Sequence, residues 1–146
     1  MKVVDANVLL YAVNADTEHH EASRAWLDAA LSGEDVVGFT WPALTAFLRL
    51  ATKPGLFPSP LSPEDALDQL DLWLSAPGAT LIGPGDQHAV ILRRLVRSVG
   101  AGGNLVSDAH LAAIAVEHRA SVVTFDSDFD RFDQVRWGRP GAAQSS

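Results

Sequence analysis

Cysteine is absent from the 146 residues, which excludes disulfides, zinc–thiolate sites and thiol nucleophiles. The absence fits a reducing compartment. Basic charge is scarce as well: 11 Lys and Arg stand against 18 Asp and Glu, for a net charge of −7. That balance argues against holding nucleic acid on a basic surface, the usual electrostatic route. It argues less against phosphodiester chemistry in which bound divalent cations bring the positive charge. No apolar run approaches the roughly 18 residues needed to cross a bilayer. Asp5 interrupts the N-terminal segment where a secretory leader needs unbroken apolar character. The expectation is a soluble cytoplasmic protein without a membrane part. The five histidines show neither HxH nor HExxH spacing, which argues against a histidine-held metal. His19 and His20 read as surface residues of a helix.

What is present alternates in character. Lys2 to Val4 reads as a strand ending on Asp5, followed by a helix from Ala6 to Val13. Thr17 caps a second helix that Gly33 stops, and Val36 to Phe39 is a second strand. Pro42 opens a helix to about Thr52; Ser62, with Pro63 behind it, caps another to about Ser75. Thr80 to Ile82 is a third strand, and Asp86 caps a helix to about Val99. After a glycine-rich loop, Ser107 caps a helix from Asp108 to His118. Ser121 to Phe125 is a fourth strand, Asp128 to Phe132 a helical turn, and Val135 to Trp137 a last edge strand. Short, continuous, β-branched strands alternating with helices predict an α/β fold: a short parallel sheet with helices on both faces. The reading is a single domain over residues 1–137 with a disordered tail over 138–146.

Ligands bind such sheets at the carboxyl ends of the strands, and this singles out particular acids. Asp5 ends the first strand, Asp126 and Asp128 follow the fourth, and Asp108 opens a helix beside the glycine-rich loop. Carboxylates gathered there raise one another's pKa and call for a cation. Oxygen ligands without cysteine or organised histidine suit Mg²⁺, with Mn²⁺ as a substitute. Each residue also has a plain structural reading. Asp5 and Asp126 are suitable helix caps, Asp108 is a first-turn acid, and Asp128 is a solvated turn residue. Asn7, Asn104, Ser107 and Thr124 either orient these carboxylates or only satisfy local backbone. Arg49 either reaches the site or a backbone phosphate, or has a surface or interface role.

Four blocks then resemble one family in order and spacing: Lys2 to Leu9, Phe47 to Thr52, Asn104 to Ala112 and Val123 to Phe129. Together they resemble the PIN domain, in a layout similar to the VapC toxins of bacterial toxin–antitoxin pairs. The resemblance implies a Mg²⁺- or Mn²⁺-dependent endoribonuclease that cuts tRNA, rRNA or mRNA and so limits translation. It also implies a homodimer and inhibition by a VapB-type antitoxin. Asp5, Asp108 and Asp126 fall on the family's metal-binding acids and Asp128 on a further acid. One position departs. Where the family usually has a glutamate on the helix after the second strand, this chain has Ala46. Fewer carboxylates imply one firmly held metal, with a second bound weakly or only alongside RNA.

Two rival readings stand beside this one. A phosphotransferase with Asp5 as nucleophile needs a second aspartate two residues on, and Asn7 stands there. A catalytically weakened module, binding RNA or antitoxin without cutting, is the reading that Ala46 invites.

Overall fold

The computed structural model describes residues 1–100, 103 and 105–141. Five short parallel strands form one sheet: β1 (Lys2–Val4), β2 (Val37–Phe39), β3 (Ala79–Leu81), β4 (Ser121–Val123) and β5 (Trp137–Gly138), in the order β3-β2-β1-β4-β5. Side chains alternate across a strand, and here both sides are covered. Val4 and Val123 join one core with Phe39, Phe47 and Trp73. Their neighbours Val3 and Val122 join a second core with Ile91, Leu95 and Phe129. That double burial explains why the strands read as continuous apolar runs.

The first core is built from α1 (Ala6–Val13), α2 (His20–Ala29), α3 (Trp41–Ala51) and α4 (Pro63–Leu74). The second lies under α5 (His88–Val99) and α6 (Leu105–Glu117). Local signals set several boundaries. Thr40 caps α3 by accepting from the Ala43 amide, and Ser62 caps α4 by accepting from that of Asp65. After α2 the chain passes through a π-helical turn, Ala30–Glu34, in which Gly33 takes φ 122°, a conformation costly to any residue with a Cβ.

Some boundaries differ from the expectation. Ser107 does not cap a helix, because α6 begins at Leu105 and Ser107 lies within its first turn. The buried Leu105 side chain extends the helix toward the core. Asp86 does not cap α5; Gln87 holds that position without a side-chain hydrogen bond. Thr17 precedes α2 by a turn and donates instead to the Asn14 carbonyl. The last strand is Trp137–Gly138, so the tail expected from 138 begins inside the sheet, at the pairing of Gly138 with Val123. Residues 142–146 of that tail lie outside the described residues. No helix among the described residues is long and apolar enough to cross a membrane.

Candidate functional site

β1 and β4 are neighbours in register, Val4 opposite Val123, so the residues following them emerge side by side. Asp5 follows β1, and its amide donates to the Val123 carbonyl at 3.0 Å. Its carboxylate is fixed at both oxygens. Oδ1 accepts from the Ala6 amide at 2.8 Å, and Oδ2 accepts from the Thr124 hydroxyl at 2.8 Å. Thr124 is fully buried and its Oγ1 accepts in turn from Asn7 Nδ2 at 3.1 Å and from the Asp126 amide at 3.0 Å. Asn7 closes the ring by accepting the Phe125 amide at 3.2 Å. One hydroxyl thus joins the ends of two strands that are 119 residues apart in sequence.

Asp126 caps a 3₁₀ turn, Ser127–Arg131, with its Oδ1 accepting from the Asp128 amide at 2.9 Å. The turn brings Asp126 and Asp128 toward Asp108 on the first turn of α6. Carboxylate oxygens of these three residues lie within 4.8 Å of one another. Asp5 is outside this trio but couples to it through charge. Burial pushes the Asp5 carboxyl above its ordinary range, with the Asp126 charge adding to the effect against the hydrogen bonds from Thr124 and Ala6. Asp108 is pushed up to about 7, first by burial and then by the charges of Asp126 and Asp5, a hydrogen bond with Asp126, and the charge of Asp128. Like-charged oxygens at this spacing lose their mutual repulsion when a divalent cation lies among them, and the all-oxygen donor set suits Mg²⁺ or Mn²⁺.

Beside the acids lies a cavity of about 330 Å³, lined by Asp5, Asp108, Ser107 and the α3 residues Ala43, Ala46 and Arg49, among others. Ala43, Ala46 and Arg49 recur at helical spacing, so one face of α3 forms that wall.

Known proteins resemble this chain over nearly all of its length. The PIN domain family matches residues 2–135. Ribonuclease VapC37 of Mycobacterium tuberculosis is 63% identical over 142 residues, 97% of this chain and 99% of that protein. This chain is a PIN domain of the VapC type. Ribonuclease VapC43 of the same species is 39% identical, over 96% of this chain and 95% of the relative. Among solved structures, VapBC-1 from nontypeable Haemophilus influenzae matches with a TM-score of 0.69 over 97% of this chain and 98% of its own, at 15% identity.

Within this PIN domain, the sequence-named residues divide by position. Asp108, Asp126 and Asp128 converge, and Asp5 is tied to them through Thr124 and Asn7. Ser107 is exposed on the cavity rim, and its side chain makes no hydrogen bond among the described residues. Arg49 is on the opposite wall. Asn104 lies outside the described residues. Thr45, which also lines the cavity, escaped notice in the sequence, although the i, i+3 spacing of Ala43, Ala46 and Arg49 marks the same wall. His19 and His20 are not simple surface residues. His19 stacks on Phe125 with ring centroids 4.2 Å apart, and His20 Nδ1 is 2.8 Å from the Tyr11 carbonyl oxygen. His19 thereby packs the start of α2 against the segment leading to Asp126, and His20 ties it to α1.

Proposed function

We propose that this PIN domain is the toxin of a VapC–VapB pair: a Mg²⁺- or Mn²⁺-dependent endoribonuclease that cuts RNA in the cytoplasm and limits translation. The observation that carries the reading is the convergence of Asp108, Asp126 and Asp128 at the carboxyl edge of the sheet, with Asp108 pushed up to about 7. Full-length relatives named as ribonucleases support it. The pairing of VapC with VapB in the H. influenzae complex supports an antitoxin partner. A homodimer belongs to the same reading.

Asp108, Asp126 and Asp128 would hold the metal, with Asp5 completing the negative wall. When bound, the metal lowers the pKa of an attacking water and offsets charge on the phosphate. The chain's residues supply the rest. Thr124 and Asn7 hold Asp5 in one orientation, so its free lone pairs face the cavity. Arg49 places a guanidinium on the opposite wall, where it meets phosphate oxygens. Ala46 puts a short side chain without a carboxylate beside it, which leaves room for the sugar–phosphate backbone and supports one firmly held metal. Water attack gives a 5′-phosphate and a 3′-hydroxyl.

The test is cleavage of total tRNA and rRNA by the purified chain in Mn²⁺ and in EDTA, beside Asp108→Asn. The expected result is discrete fragments with 5′-phosphates in Mn²⁺ and none in EDTA. Asp108→Asn slows cutting by roughly a hundredfold or more, as expected when a metal ligand is lost. Fragments ending in 2′,3′-cyclic phosphate overturn the mechanism. RNA retained but uncut in every metal assigns the chain to the binding module.

A further inference from the structure

The net charge of −7 conceals one helix face rich in arginine, with Asp133 the acid that borders it beside Arg94. On α5, Ile91 and Leu95 are buried in the second core. At 100° per residue, Arg93, Arg94 and Arg97 cluster on the opposite side, within roughly a third of the helix circumference. The helix contains no acidic residue. None of the three arginines forms an ion pair: the pairs among the described residues are His20–Glu21 and Arg24–Asp28. With Val90 and Ser98 the arginines line a shallow depression of about 650 Å³. Solubility alone favours mixed charge on a helix face. This one gathers three of the chain's 11 basic residues between positions 93 and 97.

The strip also lies beside the acidic edge. The Gly85 and Gln87 amides, just before α5, donate to the Glu117 carboxylate at the end of α6. His88 Nε2 lies 2.8 Å from His110 Nδ1. The two helices therefore run antiparallel, and Arg97 is at the same end of the pair as Asp108. Packed helices stand on the order of 10 Å apart, so a strand crossing the site continues over α6 onto this face.

We propose that the outer face of α5 is a docking strip for RNA phosphates, with Arg93, Arg94 and Arg97 gripping the strand beyond the cut. The proposal rests on the nuclease reading and adds to it a second, metal-independent contact with the substrate. Fork-shaped guanidinium groups suit phosphate oxygens. The face lacks the aromatic and apolar centre of a protein interface, since Val90 is its one exposed large apolar side chain.

The test measures binding of a labelled single-stranded RNA by fluorescence anisotropy in EDTA, across a range of salt. Full-length chain carrying Asp108→Asn is compared with the same chain carrying Arg93→Gln, Arg94→Gln and Arg97→Gln. The expected result is affinity about tenfold or more weaker and a slope of log K against log salt shallower by about 2, as three lost phosphate contacts dictate. Arg97→Gln alone removes about a third of that slope. Arg24→Gln on α2 is the charge control and changes neither quantity. An unchanged slope in the triple variant, with its melting temperature intact, overturns the strip and leaves the nuclease reading standing. Loss of self-association or of antitoxin binding with RNA affinity intact also overturns it and makes the face a protein interface. RNA binding that needs the arginines in a chain that never cuts keeps the strip and removes the nuclease. A native chain that neither binds nor cuts RNA removes both.

Discussion

The Thr124 hydroxyl donates once, to Asp5, and accepts twice, from Asn7 and from the Asp126 amide, so three parts of the site depend on one buried atom. Thr124→Val keeps the shape and deletes that atom. Leaving buried polar partners unmatched costs about 1–3 kcal/mol, a loss readable as a lower urea midpoint. The variant should also bind Mn²⁺ about 10–100-fold more weakly, as expected when a group orienting a metal ligand is removed, measured by calorimetry. Full stability together with full metal affinity would show that the strand ends hold themselves. In the sequence, Thr124 is one polar residue after an apolar strand. Its role depends on β1 and β4 being adjacent, and no local pattern encodes that adjacency.

Among the secondary-structure elements, Gly78 is the tightest point. It precedes β3, its amide donates to the Leu31 carbonyl at 2.9 Å, and its own carbonyl accepts from Val37 at 2.8 Å. A Cβ there would meet the backbone carbonyl oxygens of Ala30 and Asp35. Neither can rotate away, so Gly78→Ala should cost about 1–3 kcal/mol through forced backbone shifts, seen as a lower melting temperature with β3 and the turn after α2 exchanging amide protons faster. Element identity was legible where the cause is local: Thr40 and Ser62 at helix starts, Gly33 in a left-handed turn, and β-branched runs in the covered strands. Boundaries were lost where the cause is distant. Asp86 has the composition of a cap, yet Glu117 reaches across from α6 to accept the Gly85 and Gln87 amides. Ser107 suits a cap equally well, but burial of Leu105 starts α6 earlier. Likewise the four acids were legible as residues at strand ends and a helix start, whereas the closeness of Asp108 to Asp126 and Asp128 exists only after α6 packs against β4 and the turn that follows it.

For the whole molecule, the acidic edge couples stability to pH. In the folded chain Asp108 keeps its proton up to about pH 7, against an ordinary value of 3.8. Between those values the folded state binds more protons than the unfolded one, so stability falls as pH rises through that interval. In EDTA, the melting temperature should decline from pH 5 to pH 8, and Asp108→Asn should flatten the decline and raise the melting point at pH 8. Saturating Mn²⁺ should oppose the decline, because binding to the folded chain adds stability and displaces the Asp108 proton. A metal-free protein equally stable at both ends of that range would mean the carboxylates tolerate one another unaided. The sheet order has a further consequence, in time. β1 is central but is the first strand made, and one of its two neighbours, β4, comes from residues 121–123. Asp5 must therefore wait, without its hydroxyl partner or the other carboxylates, while most of the chain is synthesised. The ribosome, itself largely RNA, carries no assembled cutting edge at its exit until residues 121–128 have emerged.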